Sequence, residues 1–176
     1  ATLDLVQFTD TATIYDEDSI NPTTDGGAPG ASNPTDTLGD RPVVSITATD
    51  ESAVEGVDNA IVFTVTQSNL SDFDTTVLVK GTLGEISAAD ITSISYTDVN
   101  GDPVTLDDAT EITSFFTTGV TVKIPTGQTV APVITFTTVD DPIFEQSEAF
   151  SVAISAPVNA TLDLVQFTDT ATIYDE

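Results

Sequence analysis

Hydrophobic and polar residues alternate with a period of two along most of the chain after residue 40. Successive side chains of a β-strand point to opposite faces, so each alternating run predicts a strand with one buried face. The predicted inward-facing sets are Val44, Ile46 and Ala48; Ile61, Phe63 and Val65; Val77 and Val79; Ile94 and Tyr96; Val120, Val122 and Ile124; Ile134 and Phe136; Phe150, Val152 and Ile154; Val165 and Phe167; and Ala171 and Ile173.

Turn signals separate these runs, as at Asn100-Gly101 and at Pro125-Thr126-Gly127. Asn-Gly and Gly-containing clusters between alternating segments are typical of hairpin connections. Roughly seven to nine short strands without a convincing helix predict an all-β fold, an antiparallel two-sheet sandwich of immunoglobulin-like type. The segment SAADITS at residues 87–93 is expected to form a single helical turn and no more.

The chain contains an internal repeat. Residues 1–17 and residues 160–176 both read ATLDLVQFTDTATIYDE, an identity at an offset of 159 residues. Chance does not produce a match of that length, so the chain is predicted to hold one full period of a tandem array plus the end of the preceding repeat. A deliberate duplication is the alternative, and it would itself suggest an array.

Three regions follow from this repeat. Residues 1–17 are expected to be the last strand region of a preceding repeat, an extra N-terminal strand. Residues 18–40, DSINPTTDGGAPGASNPTDTLGD, are rich in Pro, Gly, Ser, Thr and Asp. They lack apolar periodicity, which is typical of a partly extended linker. Residues 41–176 are expected to form the sandwich domain.

The chain is strongly acidic. Twenty-nine Asp and Glu residues face Arg41, Lys80 and Lys123, for a formal net charge of -26. Phosphate groups are bound through Lys and Arg, so this balance excludes nucleic acid as a partner and excludes attraction to anionic membrane surfaces. Hydrophobic residues still make up 39% of the chain, enough for a core. Carboxylates in such excess favour surroundings rich in salt or divalent cations.

Cys, His, Met and Trp are absent. The chain therefore has no disulfide framework and none of the usual zinc, copper or haem ligands. The commonest general base and the thiol nucleophile are missing as well. No apolar run approaches the roughly 20 residues of a membrane span, so membrane insertion is not expected.

Two acidic stretches resemble a known signature. Residues 139–176 read VDDPIFEQSEAFSVAISAPVNATLDLVQFTDTATIYDE, and residues 50–56 read DESAVEG. The paired aspartates, the acidic segment leading into a strand and the acid-terminated last strand resemble the Calx-β domain. Gln146-Ser147 departs from the more usual Gly or acidic pair. The resemblance spans residues 42–176 and implies a Calx-β sandwich. The near-perfect repeat looks closest to the tandem extender repeats of giant bacterial calcium-dependent (RTX-type) adhesins.

The same resemblance implies Ca²⁺ as the cofactor, bound by carboxylates that meet at one end of the sandwich. Calcium takes about six to eight oxygen ligands in flexible geometry, and carboxylates are the strongest of them. The implied ligands are Glu51 or Glu55, Asp140, Asp141, Glu145 and Asp175, with Glu148 as a further ligand or as a cap at its strand start. The alternative is a solvated acidic rim.

A second calcium site is hypothesised at the linker, where Asp16, Glu17 and Asp18 are followed by further acids up to Asp40. Calcium bound there would stiffen the junction between repeats, whose stability depends on such nearest-neighbour interactions. A flexible spacer whose acids repel one another is the alternative.

Asp98, Asn100 and Asp102 are similar to the start of a calcium loop. The twelfth position of such a loop would be Ala109 rather than Glu, and Asn-Gly also forms a plain hairpin turn. We therefore expect a turn.

The expected function is structural: a calcium-stabilised extender repeat of an extracellular, cell-surface adhesin or fibre, which supplies reach and stiffness. The alternatives are an adhesive module that binds a surface or carbohydrate, and a strand-exchanging subunit of an extracellular filament. An enzyme is not expected, because adjacent carboxylates such as Asp140 and Asp141 rarely face each other at the separation that glycoside hydrolysis needs.

The expected partners are neighbouring identical repeats in tandem. Residues 1–17 duplicate residues 160–176. They are therefore also expected to be able to exchange with that strand in another copy of the chain.

Overall fold

Strands dominate the part of the chain that the structure describes. The computed structural model describes residues 41–140, 142 and 144–175, so residues 1–40, Asp141, Ile143 and Glu176 lie outside it. The predicted strand region 1–17 and linker 18–40 therefore stay predictions. The described elements are β1 (Val43–Asp50), β2 (Ser52–Val54), β3 (Ala60–Gln67), β4 (Thr75–Thr82), a 3₁₀ turn (Ala88–Asp90), β5 (Ile91–Thr97), β6 (Pro103–Leu106), α1 (Ala109–Thr117), β7 (Val120–Ile124), β8 (Ile134–Thr138), β9 (Glu148–Val158), β10 (Thr161–Leu162) and β11 (Thr168–Tyr174).

These strands form two sheets, which confirms the predicted all-β sandwich. The six-stranded sheet has the order β10-β1-β3-β8-β5-β6, and the five-stranded sheet has the order β2-β11-β9-β4-β7. Long neighbours such as β1 with β3 and β4 with β9 are antiparallel. The short strands β10 and β2 pair in parallel, with β1 and β11 respectively. The C-terminal stretch thus contributes one strand to each sheet.

The buried faces of the sheets are largely those that the alternation predicts. In β3, Ile61, Phe63 and Val65 are buried while the residues between them are only half-buried. The same pattern holds for β9, where Phe150, Val152 and Ile154 lie in the core. A pleated strand packed on one face requires this period of two.

The centre of the core is aromatic. The rings of Phe63, Phe136 and Phe150 lie with centroids 5.1 to 6.0 Å apart. Phe115 and Phe116 complete the cluster from α1, with Phe115 at 5.3 Å from Phe136 in a T-shaped pair. Aromatic rings prefer such edge-to-face contacts because their edges are positive and their faces negative.

The expectation of no helix beyond a single turn is wrong at α1. The Asp108 side chain caps this helix by accepting a hydrogen bond from the Thr110 amide, and Gly119 follows its end at φ 82°. Spacing of three and four residues puts Ile112, Phe115 and Phe116 on the buried face. Helical periodicity over nine residues was hidden among Thr and Ser. Within the described residues no helix has the length and apolar character to cross a membrane.

The prediction that Val165 and Phe167 face the core is also wrong. Val165 is 88% exposed, and the residues between β10 and β11 form bends rather than a strand. The cause is Asp163, whose carboxylate accepts hydrogen bonds from the amides of Val165 and Gln166 at 2.8 and 3.1 Å. An Asp side chain that binds the backbone ahead of it makes a turn in place of a ladder.

Two local predictions are confirmed. The segment 87–93 opens with a single 3₁₀ turn, Ala88–Asp90. Asn100-Gly101 lies in the hairpin between β5 and β6, where one carboxylate oxygen of Asp98 accepts from the amides of Asn100 and Asp102 at 2.8 and 3.0 Å. These bonds hold the pKa of Asp98 below its ordinary value.

Candidate cation site

The start of β9 and the end of β11 lie side by side. Their antiparallel register pairs Glu148 with Ile173, so the segment before β9 meets the residue after β11. There the backbone amide of Glu145 donates a hydrogen bond to Oδ2 of Asp175 at 3.2 Å. Three of the carboxylates predicted as ligands therefore lie at one end of the sandwich.

The parallel pairing of β2 with β11 separates the two alternatives Glu51 and Glu55. Val54 pairs with Tyr174, and the amide of Glu55 donates to the carbonyl of Tyr174 at 3.0 Å. Glu55, only 5% exposed, thus lies beside the end of β11. Glu51 precedes the Ser52–Thr172 pair and is exposed. It lies further back along β11, away from Asp175.

Two carboxylates that the sequence analysis did not single out join this group. Glu85 accepts a hydrogen bond through Oε2 from the Ala149 amide at 3.2 Å, directly beside Glu148. Asp90 lies close enough to Glu148 for its negative charge to add to burial in raising the pKa of the Glu148 carboxyl group. We call the five residues Glu85, Asp90, Glu145, Glu148 and Asp175 the acidic pole.

Asp90 is held in place by a capping box. Its Oδ2 accepts from the Ser87 amide at 2.7 Å, and its Oδ1 accepts from the Ser87 hydroxyl at 3.0 Å. The Ser87 hydroxyl in turn accepts from the Ala89 amide. The S-x-x-D spacing is visible in the sequence as a cap, but it gives no sign that the carboxylate lies next to Glu148, 58 positions away (148 minus 90).

The acidic pole raises the pKa of Glu148. Burial contributes most, followed by the negative charges of Asp90 and Glu145, the hydrogen bond with Asp90 and the charge of Glu85. The negative charges around Glu148 oppose its ionisation, and a cation bound at the acidic pole would neutralise the same charges.

Asp140 approaches the acidic pole through the backbone. The amide of Val139 donates to the carbonyl of Asp90 at 2.9 Å, which places the residues after β8 next to the 3₁₀ turn. Asp140 itself is exposed. Asp141, the other half of the predicted aspartate pair, lies outside the described residues.

A buried oxygen lies near the same end. Asn59 begins the approach to β3, and its carbonyl accepts from the Thr138 amide at 2.9 Å. Its side-chain oxygen Oδ1 is buried and has no hydrogen-bond partner among the described residues. An uncompensated buried oxygen is costly, and a cation is one means of satisfying it.

The donor chemistry of the acidic pole fits calcium, because every candidate ligand is an oxygen and most are carboxylates. The described residues do not form a complete calcium site, however, because no three acids among them converge tightly enough to hold a metal ion. Asp141 and Glu176 are close in the sequence to Glu145 and Asp175 of the acidic pole, but both lie outside the described residues. The predicted linker acids Asp16, Glu17, Asp18 and Asp40 lie outside them as well.

No protein-family model matches the sequence, and no curated protein matches it significantly. Among solved structures, the chain is similar to the apo form of the Calx CBD1 domain, with a TM-score of 0.51, 16% identity, and coverage of 76% of this chain and 98% of that one. It is also similar to the calcium binding domain CBD12 of CALX1.1, with a TM-score of 0.50, 14% identity, and coverage of 72% of this chain and 42% of that one. At these identities the likeness concerns the fold alone. The chain therefore has a Calx-β-like fold.

Proposed function

We propose that this chain is a calcium-stabilised structural repeat of a long extracellular adhesin or fibre, in which it supplies reach and stiffness. The observation that carries the calcium part is the clustering of carboxylates at the acidic pole, where Asp175 accepts a hydrogen bond from the Glu145 amide and Glu85 accepts one from the Ala149 amide, beside Glu148. The exact repetition of residues 1–17 at 160–176 supports the array. The proposal is non-enzymatic.

Calcium acts on stability by removing repulsion. Glu85, Asp90 and Glu145 all bring negative charge to bear on Glu148, and their repulsion opposes the folded state. A divalent cation that binds only when these acids are assembled stabilises the fold by mass action. The likeness to a structure described as a calcium binding domain supports the choice of calcium.

The array and its location rest on sequence. A repeat that recurs identically presents the same surface in every unit, which suits a spacer better than a specific binding site. The net charge of -26 keeps units from associating with one another and suits calcium-rich surroundings. We accordingly propose a cell-surface, extracellular location.

Thermal unfolding of the chain in calcium, in chelator, and in sodium chloride of matched ionic strength tests the calcium part. With calcium at about a hundredfold above its dissociation constant, we expect the midpoint to rise by about 10 °C. Sodium at matched ionic strength should reproduce little of this rise. An equal rise in sodium would mean that the acidic pole is only a screened surface.

A matched pair of variants localises the effect. Glu148→Gln removes one carboxylate from the acidic pole. Asp72→Asn removes one exposed carboxylate from the segment before β4. This segment lies away from the acidic pole, because Thr76 of β4 pairs with Val158, at the opposite end of β9 from Glu148. We expect the first to lose most of the calcium-dependent rise and the second to keep it. Equal losses would contradict a site at this pole.

A further inference from the structure

The two sheets end in four edge strands within the described part of the chain. The six-stranded sheet ends in β10 and β6, and the five-stranded sheet ends in β2 and β7. Each of these strands has a described strand partner on one side only, and its other side presents backbone groups with which another strand can pair. Folded proteins shorten, charge or interrupt their edge strands to prevent such pairing.

Three of the four edges carry these protections. The edge strand β10 has only two residues. The edge strand β2 has three residues and lies in the sequence between Glu51 and Glu55. The edge strand β6 begins with Pro103, which has no amide hydrogen to donate, and it lies in the sequence between Asp102 and Asp107.

The edge strand β7 differs from the other three. Its five residues, VTVKI, include neither a proline nor an acid. They are residues that favour a strand, apart from Lys123. Val122 and Ile124 are buried while Thr121 between them is exposed, and the register with β4 is unbroken from Val120 to Ile124. This edge is therefore regular along its whole length.

The charges around β7 do not repel a second chain. An edge lysine can keep other strands away, but here Nζ of Lys123 lies 3.2 Å from Oδ2 of Asp74, which balances its charge within the domain. The side chains that β4 contributes to the outer face of the sheet, beside β7, are Thr76, Leu78, Lys80 and Thr82. In a chain of net charge -26, neither β4 nor β7 contains a carboxylate.

We propose that β7 is a docking edge for β7 of a second copy of this chain, paired antiparallel about Val122. This two-fold register is the one that pairs all five residues. Val122 faces Val122 of the other copy, Thr121 faces Lys123, and Val120 faces Ile124. No two like charges lie opposite each other, and the five-stranded sheets of the two copies continue across the dimer.

Antiparallel pairing also separates the acidic poles of the two copies. Within one copy, β4 ends at Thr82 and Glu85 of the acidic pole follows it, whereas β7 lies beside residues 75–79 of β4. The acidic pole thus lies toward one end of the domain along the direction of β7. Because the two β7 strands run in opposite directions, the two poles point to opposite ends of the dimer. Parallel pairing would bring these like charges side by side.

The docking contact is small. Five paired residues span about 17 Å along an edge about 10 Å thick, far less than the roughly 800 Å² that each partner buries in a stable complex. The net charge also opposes association of free chains. We therefore expect a monomer–dimer equilibrium in which dimers form only at high concentration. Along the fibre proposed above, many such edges would act together between two fibres, but the pairing itself does not depend on that function.

Charge substitutions at the exposed Thr121 test the pairing, because Thr121 faces Lys123 of the other copy twice in the symmetric dimer. Thr121→Glu places two Glu–Lys pairs across the contact, and Thr121→Lys places two Lys–Lys pairs there. We expect the first to lower the dissociation constant of the dimer by about 2- to 30-fold, and the second to raise it by a similar factor. Net charge alone predicts the opposite signs, because one more Glu increases the repulsion between chains and one more Lys decreases it.

Thr105→Glu and Thr105→Lys are the matched controls, at an exposed residue of the edge strand β6. They should change association only as net charge dictates. Sedimentation equilibrium up to about 1 mM chain measures the constants. Chelator keeps calcium from bridging the acidic poles, so the result is independent of the calcium proposal. Salt at about 0.15 M screens charges beyond about 8 Å but leaves directly opposed side chains interacting.

Amide hydrogen exchange of the parent chain gives a second readout. Exchange in β7 should slow as the concentration of chain rises, and exchange in β6 should not. If the Thr121 variants followed net charge as the Thr105 variants do, the pairing through β7 would be overturned. A parent chain that stayed monomeric up to about 1 mM, or slower exchange in β6 in place of β7, would overturn it as well.

Discussion

The backbone amide of Glu145 donates a hydrogen bond to the carboxylate of Asp175 across 3.2 Å. This bond ties the segment before β9 to the end of β11, so the end of the last described strand contributes a carboxylate to the acidic pole.

Glu148→Gln should change stability in opposite directions with and without calcium. The raised pKa of Glu148 means that its ionisation opposes folding. In chelator, the parent chain should lose stability as pH rises from below the ordinary value of 4.5 through the raised pKa. Glutamine has no charge to develop, so above that range the variant should be modestly more stable, because solvent screens a half-buried side chain.

The two chains should converge below the ordinary value of 4.5. In calcium at neutral pH the order should reverse, because the parent keeps a ligand that the variant lacks. Midpoints of urea denaturation measured from pH 3 to pH 8, roughly the range over which carboxylates of this kind titrate, provide the readout. A variant less stable than its parent in chelator at neutral pH would contradict the assigned repulsion.

Asp90→Asn and Ser87→Ala separate the two roles of Asp90. Both changes disturb the capping box, in which Ser87 and Asp90 exchange hydrogen bonds, and each should cost about 1 kcal/mol. Only Asp90→Asn removes a carboxylate from the acidic pole. We expect the calcium-dependent rise in melting temperature to fall in Asp90→Asn and to persist in Ser87→Ala. If both kept the full rise, Asp90 would have no part in cation binding.

Gly81→Ala should destabilise the domain through α1. A Cβ at residue 81 would lie 2.5 Å from Cδ1 of Phe116 and 3.2 Å from Cε1 of Phe115, so the helix or its rings must move. Overpacking of this kind costs about 1–3 kcal/mol. Phe116→Ala should cost about 3–5 kcal/mol by itself. Since the added methyl group then fills vacated space, the double variant should lose less than the sum.

Denaturation of the four chains of this cycle measures that coupling. If the free-energy changes of the two single variants simply added, residue 81 on β4 and Phe116 on α1 would not be in steric contact.

Phe136→Ala should come close to unfolding the domain. Its ring is fully buried and lies 5.1 to 5.6 Å from those of Phe63, Phe115 and Phe150. Loss of such a ring costs about 3–5 kcal/mol, a large share of the roughly 5–15 kcal/mol that stabilises a domain. Phe144→Ala, at a residue 87% exposed, is the control and should change stability by less than about 0.5 kcal/mol. Calorimetric midpoints compare the two.

The sequence predicted those parts of the structure that depend on the local pattern of residues. The alternation in β3 identified Ile61, Phe63 and Val65 as buried, because a strand packed on one side imposes a period of two. Ala171 and Ile173 were identified in the same way. The helix α1 left local signals too, with Asp108 as its cap and Gly119 after its end. Those signals were outweighed by a Thr-rich composition that favours strands.

The site was less predictable than the fold. Glu145, Glu148 and Asp175 were singled out by resemblance, and the register of β9 with β11 places them together. Glu85 and Asp90 were not singled out, because in the sequence they belong to a turn and a cap. Their proximity to Glu148 arises from pairing between distant strands, and no local sequence pattern predicts that pairing.

By itself, the sequence determined the alternating strands, the excess of carboxylates and the identity of residues 1–17 with 160–176. These are properties of residue order and composition, and they need no knowledge of which strands are neighbours. Only the tertiary structure decided that Asp90 lies close to Glu148 and that β10 and β11 contribute one strand to each sheet. The physical reason is that strand pairing brings together residues that are far apart in the chain. The electrostatic interactions between the carboxylates of the acidic pole arise only after that pairing.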